Sequence, residues 1–424
     1  MSRTKRIKYN DAEYEGQVNS SGEPHGYGTM RFDSGSVYTG DWYNGSVTGE
    51  GTYTNLYGVT YEGELLNNSK HGQGKLTYSD GSVYKGEWRN NKEHGFGRYT
   101  LLNGYWIEGN WQNGKLCGQV KIHYQNGDLY VGNYNDGVIS GKGKLMFANG
   151  EIYEGEFKND EMCGYGKYTF SDGVYEGEFS GDCCNGKGIR TWNTGEKYIG
   201  EWLNDAMHGQ GKYLFEDGSV YEGEFKNGEM HGKGKMTFPD GIVIISEFEN
   251  GYPDDISSYY LPNGGKYLGQ WADGCPHGYG RWYYDNGTYE GEWVEGIRQG
   301  YGVYTWNDGE KYEGEWVNDK RTGSGKYTFE NGNVYEGHFV DGNREGKGKL
   351  TYSGGDVYIG DWQNGKKSGN GMYIWKSGDI YDGQWENDDM HGQGTYHCAD
   401  GTIIVGIWDH DNIVEKISVK YPEE

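Results

Sequence analysis

No run of eighteen apolar residues occurs in the 424-residue chain, so no segment reaches the roughly 20 residues that a membrane-crossing helix needs. The first nine residues carry Arg3, Lys5, Arg6 and Lys8 without an apolar stretch behind them, which is not the pattern of a secretory leader. A soluble, cytoplasmic protein is therefore expected. Cysteine is sparse: Cys117, Cys163, Cys183, Cys184, Cys275 and Cys398 form no CxxC pair, as reduced thiols would and a disulfide framework would not. Aliphatic residues are few as well, since 33% of the chain is apolar and aromatics alone make up 16%. That composition excludes an ordinary aliphatic core. Basic charge is also short, with 39 Lys and Arg against 64 Asp and Glu and a net charge of −25. Nucleic acid is excluded as a partner and contact with an anionic membrane is disfavoured, because both need clustered Lys and Arg. Proline occurs only six times, and Pro239, Pro253 and Pro262 fall in one short stretch.

Glycine is abundant, at 78 residues, and it is periodic. A phrase Tyr-x-Gly-x-aromatic recurs with anchors at Tyr14, Tyr38, Tyr61, Tyr84, Ile107, Tyr130, Tyr153, Tyr175, Tyr198, Tyr221, Ile244, Tyr267, Tyr289, Tyr312, Tyr335, Tyr358, Tyr381 and Ile404. The step is 23 residues except from 14 to 38 (24), 153 to 175 (22) and 267 to 289 (22). A fixed period of roughly 20–50 residues marks an array in which each unit buries its apolar face only against its neighbours. One array fills the chain: a basic N-terminal segment 1–13, repeats one to ten over 14–238, a degenerate repeat or seam at 239–266, repeats twelve to eighteen over 267–408, and a C-terminal cap at 409–424. Residues 1–10 are expected to be loose, and the cap to supply a last strand or to pair with a second chain.

Residues 198–221 serve as the type unit. Tyr198, Gly200 and Trp202 share one face of a first strand, and Gly209, Gly211, Tyr213 and Phe215 one face of a second. Asn204-Asp205 joins them, and Asp217-Gly218 leads to the next repeat. Asn-Gly and Asp-Gly are the strongest two-residue hairpin signals, because both central residues need positive φ. They stand at twelve of the seventeen inter-repeat turns, so an antiparallel meander follows. Gly at the third anchor position is expected to lie under the ring of a neighbouring strand, which replaces a second layer. The opposite face is charged. Acids after the anchor Gly (Glu87, Glu156, Glu224, Glu315) and bases after Gly-x-Gly (Lys75, Arg98, Lys144, Lys235, Lys349) are positioned to pair across strands, each exposed pair contributing only about 0–1 kcal/mol.

Units such as YEGEFKNGEMHGKGKMTFPDG at 221–241 and YEGEWVNDKRTGSGKYTFENG at 312–332 resemble the MORN repeat, the membrane occupation and recognition nexus, and the resemblance spans about 14–408. It implies an all-β fold, an elongated single-layer antiparallel meander of about eighteen 23-residue hairpins with a grooved face. It also implies a scaffold, often dimeric, of cilia and flagella (radial spoke heads), parasite cytoskeletons or membrane junctions. Partners would be other proteins, axonemal or cytoskeletal subunits among them, with a homodimer as one form. The rival reading is a peripheral membrane adaptor that binds phosphoinositides, against which the charge stands.

No catalytic, cofactor or metal site is expected. Seven histidines (His25, His71, His94, His208, His231, His277, His391) and Cys117 and Cys163 occupy the slot before Gly-x-Gly. Neighbours in that column stand about 10 Å apart, whereas zinc ligands converge to about 2.0–2.3 Å from the metal. A role in the turn fits better. Gly-x-Gly here feeds strands, not the helix N-terminus a phosphate loop requires, and no nucleophile-base constellation separates from repeat positions. The best binding candidates are aromatics between the two glycines, on the face that should be polar: Phe96, Tyr165, Tyr279 and Tyr301, with Tyr27 beside them.

Overall fold

The computed structural model describes residues 3–422, and among these there is no helix, only strands paired antiparallel. Two compact units emerge, one of Met1–Glu216 with Phe225–Gly228, the other of Asp217–Glu224 with Glu229–Glu424. Their division falls one repeat before the proposed seam at 239–266. Within each unit consecutive strands pair as an open meander, except that Ser257–Tyr260 pairs with Val243–Glu249 past the short Tyr252–Pro253.

The type hairpin shows why. Lys197–Leu203 pairs with Ala206–Leu214, and Asn204 and Asp205 both have positive φ, 48° and 67°. This is the two-residue turn whose twist matches paired strands. Its partner turn differs from expectation. Between repeats only the glycine is left-handed, as with Gly35 at φ 85°, and Gly35 N–H donates to Phe32 O while Phe32 N–H donates to Ser36 O. The Asp-Gly and Asn-Gly dipeptides thus close three-residue turns, and the positive-φ pairs lie inside the repeats.

Turn length accounts for each departure from the 23-residue period. The first hairpin turns through three residues, since Asn19 N–H meets Glu23 O and Gly22 N–H meets Asn19 O, which adds one residue. At both 22-residue steps the inter-repeat turn loses one, because Phe170 pairs directly with Gly173 and Tyr284 with Gly287.

The core is a ladder of rings on one face. Tyr198 is fully buried and packs edge-to-face on Trp202 at 5.2 Å and on Phe225 at 4.9 Å, contacts worth about 0.5–1.5 kcal/mol each beyond their burial. Its ring covers Gly200 on its own strand and Gly211 across the pair, where an added Cβ would overlap it. The anchor glycine is thus covered by the tyrosine of its own strand and not, as expected, by a neighbouring strand's ring, which covers only the second glycine. Where the anchor is Ile, the covered second glycine is absent: Val120 stands there below Ile107, and Ser257 below Ile244.

The stretch 239–266 remains in the ladder. Ser257–Tyr260 pairs with both Val243–Glu249 and Lys266–Ala272. Ser257 Oγ donates to Ser246 Oγ at 2.8 Å, and Ser246 Oγ to Glu247 O at 2.8 Å. Two small hydroxyls thus occupy the place of a glycine pair and reach the carbonyl that the missing tyrosine would have bonded. The N-terminus is likewise ordered: Arg3–Lys8 pairs along Ala12–Val18, and Arg6 bridges Glu13 and Glu15 at 3.4 and 3.3 Å. Pairing with the acidic first repeat replaces the loose segment expected there. At the other end Asn412–Lys420 pairs with Ile403–Asp409 through two bulges.

Candidate interaction surfaces

Each repeat carries a bulge that the sequence pattern does not announce. Gly200 pairs with Gly211 but Glu201 pairs with His208, so Gly209 and Gln210 are extra on their strand. Gly209 adopts φ 56°, which an L side chain resists. The first Gly of Gly-x-Gly is therefore a bulge residue, not a member of the glycine face.

The bulge defines the acidic column. The residue after the anchor Gly accepts the stranded N–H of the residue between the two glycines: Glu64 from Gln73 at 2.9 Å, Glu87 from Phe96 at 3.4 Å, Glu315 from Ser324 at 3.2 Å. Gln17, Gln270 and Gln384 do the same for Tyr27, Tyr279 and Gln393. Acceptance, not charge, is what the position requires. The base after Gly-x-Gly instead meets the acid before the anchor Gly, as Lys75 does with Glu62 at 3.2 Å and Lys326 with Glu336 at 3.5 Å. The expected pairing between the two named columns is corrected accordingly.

The histidine column serves the turns. Its carbonyl accepts from the anchor Tyr, as His208 O does from Tyr198 at 3.2 Å. Its side chain faces the turn of the next hairpin, where His25, Thr48, Asn185, Gln299 and Glu345 accept a turn N–H.

The tips of the binding candidates project from this network, with the Tyr279 hydroxyl donating to Glu290 Oε1 at 3.4 Å. Tyr27, Phe96, Tyr165, Tyr279 and Tyr301 are all more than half exposed, 56–65%. Each is held at its backbone by a bulge and splayed from the charged face. Tyr279 and Tyr301 stand in adjacent repeats on either side of Glu292, which lies opposite Tyr279 and accepts the Tyr301 N–H at 3.4 Å. Tyr27, Phe96 and Tyr165 stand three repeats apart from one another. Near Tyr165, Ile189 and Ile199 oppose each other and are about 40% exposed on the same charged face. The sequence reading passed over this apolar pair because Ile in the slot after the anchor breaks no repeat rule.

On the opposite face Leu65 replaces the second aromatic, and a hollow of about 470 Å³ opens among Trp42, Tyr53, Tyr61, Leu65 and Lys70.

Sixteen segments between residues 14 and 403 match the model of the MORN repeat, omitting only the repeats anchored at Ile244 and Ile404. The chain belongs to the MORN repeat family. The repeat at Ile244 has lost both the tyrosine and the glycine, which is Ser246, whereas the repeat at Ile404 keeps Gly406, as the matched repeat at Ile107 keeps Gly109. No curated protein matches this MORN chain. Among solved structures it is similar to the TCP domain of SAS-4 (dCPAP) of Drosophila melanogaster, solved with a proline-rich motif of Ana2 (dSTIL), at 18% identity over 36% of this chain and 85% of that one, TM-score 0.24. It is also similar to the TCP10 domain of Danio rerio CPAP, solved with a STIL peptide, at 13% identity over 56% of this chain and 96% of that one, TM-score 0.24. Likenesses at this level carry no functional inference.

Proposed function

We propose that this MORN protein is a non-enzymatic protein-protein scaffold of the cytoplasm, built into a cytoskeletal or ciliary assembly such as a radial spoke. The observation that carries the reading is the set of exposed aromatics Tyr27, Phe96, Tyr165, Tyr279 and Tyr301, fixed at bulges along the charged face. Rigid aromatic rings at low entropic cost are what protein contacts use as anchors. The polar side chains that repeat from unit to unit are engaged as caps of bulges and turns, which leaves binding, not chemistry, as their use. The cytoskeletal setting rests on the company that MORN repeats keep. A second copy could join along Asn412–Lys420, whose Val414 and Ile417 are exposed.

Pull-down from the native cell with tagged full-length protein, followed by mass spectrometry, tests this. Recovery of axonemal or other cytoskeletal subunits, lost when Tyr279 and Tyr301 are changed to Ser, supports the scaffold. Flotation with phosphoinositide liposomes at physiological salt, with no protein captured, would put the membrane adaptor in its place. The mass in size-exclusion with light scattering reports the dimer.

A further inference from the structure

Nine residues after the anchor, the second residue past the hairpin turn pairs with the second aromatic of its own hairpin, as Arg298 does with Trp293, and reaches toward the ring of the next. In successive repeats of the first unit this slot is apolar, with Ile139, Met162, Cys184 and Met207. In four successive repeats of the second unit it is cationic: Arg298, Arg321, Arg344 and Lys367. Arg298 lies 4.4 Å over Trp316, Arg344 4.2 Å over Trp362 and Lys367 4.2 Å over Trp385, while Arg321 lies 5.1 Å from Tyr327. A chain with 25 negative charges in excess has thus placed an unbroken row of cations on its aromatic face.

These cations have donors to spare. A guanidinium offers five N–H and an ammonium three. Arg298 engages Asp319, Arg321 donates to Gly342 O and Arg344 to Gly365 O. Lys367 Nζ makes no ion pair or hydrogen bond among the described residues, and burial holds its pKa, like that of Arg344, below the usual range. The Lys367 ammonium and the guanidinium N–H groups left over from these bonds are half-buried donors poised for carboxylates.

We propose that the aromatic face of repeats thirteen to sixteen docks an acidic α-helix of a partner protein, its carboxylates seated on Arg298, Arg321, Arg344 and Lys367 and its apolar residues on the partly exposed rings beside them, Trp306, Tyr327, Phe329 and Tyr373. The proposal rests on the scaffold reading and names the chemistry of one partner. One repeat advances two strand spacings, about 9.6 Å. Seven helical residues advance about 10.5 Å, so a carboxylate at every seventh position stays in step with the row. An extended peptide covers the same distance in about three residues, and its alternation would turn every other carboxylate away. A planar anionic bilayer fits worse, because the exposed Asp319 and Asp341 at the hairpin turns would meet it first.

The test is fluorescence anisotropy of full-length protein, at physiological salt, with a labelled 28-residue amphipathic helix bearing Glu at every seventh position, and with the same peptide carrying Gln there. The Glu peptide should bind at least tenfold more tightly. Joint Arg298→Gln, Arg321→Gln, Arg344→Gln and Lys367→Gln should abolish that preference, and joint Arg298→Lys, Arg321→Lys and Arg344→Lys should preserve it, with circular dichroism confirming strand content. Should the fourfold variant not fold, Lys367→Gln alone should narrow the preference about threefold. Equal binding of the two peptides, or a preference that survives neutralisation, overturns the proposal. So does flotation on phosphatidylserine vesicles that the neutralised variant loses. If native pull-downs recover the same proteins with the neutralised and original chains, the docking proposal falls and the scaffold stands; if neither recovers any, the scaffold reading itself falls.

Discussion

The Tyr198 hydroxyl donates to the carbonyl of Glu201 at 2.9 Å, three residues along its own strand. It can do so because Gly200 and Gly211 lie beneath the ring, and because the bulge at Gly209 and Gln210 interrupts the ladder opposite the step from Gly200 to Glu201. The same bond recurs from Tyr61 to Glu64 and from Tyr312 to Glu315. One side chain thus covers two glycines and satisfies a carbonyl that the bulge has stranded.

Removing the hydroxyl and blocking the glycine should therefore differ in size. Tyr198→Phe leaves a half-buried carbonyl without its donor and should cost about 1–2 kcal/mol. Gly211→Ala drives a Cβ into the ring and should cost about 3 kcal/mol or more. Hydrogen exchange read by mass spectrometry checks both, with faster exchange confined to the hairpins around 198–225, because stability in an array is a nearest-neighbour quantity. Equal effects of the two changes would contradict the geometry.

How much of this was legible in the sequence follows from what repeats. The Tyr-x-Gly-x-aromatic phrase gave strands, pairing and the single aromatic face, since a period-2 pattern fixed to turns admits one register. The bulge was not legible, because Gly209 and Gly211 look alike in sequence while one answers a positive φ and the other a covering ring. Without the bulge, Glu201 and its equivalents read as surface charge. The cationic row was present in the sequence at 298, 321, 344 and 367, yet its slot carries no motif and is filled by many residue types, Glu93 and Lys70, which lies over Trp88, among them as well as Ile139 and Met162. The exposed rings Phe96, Tyr165, Tyr279 and Tyr301 were found because they break the polar rule of their face.

The acid below the bulge offers a sharp distinction between charge and acceptance. Glu315 accepts the Ser324 N–H at 3.2 Å. Glu315→Ala should cost about 1 kcal/mol, whereas Glu315→Gln should cost a few tenths at most, since Gln17, Gln270 and Gln384 fill the same role. Thermal melts of the two variants decide it, and a Gln variant as weak as the Ala variant would show that charge, not acceptance, matters there.

Alkali should unfold the array. Burial, as the largest cause, pushes the phenols of Tyr221 and Tyr335 up to about 12, and those of Tyr84, Tyr198, Tyr312 and Tyr358 upward as well. A phenol with a raised pKa keeps its proton in the folded state after the unfolded chain has lost it. Its stabilisation is therefore complete below pH 10 and falls as pH rises through 10 to 12 and beyond. Circular dichroism across pH 8–12 should show loss of strand signal beginning near pH 10, with phenolate absorbance at 295 nm rising in the same step. Phenolate absorbance reaching that of the fully unfolded chain while the strand signal persists would contradict the burial of the anchors.

The adjacent thiols Cys183 and Cys184 should react very differently from their unfolded counterparts. Cys184 is buried, and burial first, then the nearby Asp205 carboxylate, pushes its thiol up to about 12. Asp205 also accepts the Cys184 N–H at 2.7 Å and so cannot swing away without cost. Since the thiolate is the nucleophile, and an unperturbed thiol titrates near about 8.5, iodoacetamide at pH 8 should modify Cys184 at least about a hundredfold more slowly in the native protein than in guanidinium. Asp205→Ala removes only the lesser cause, so it should restore part of the rate while the turn loosens. Peptide mapping after timed labelling resolves the two sites, which trypsin leaves on one fragment but tandem mass spectra separate. Rapid native labelling of Cys184 would show that its hairpin opens far more readily than its burial opposite Phe179 allows.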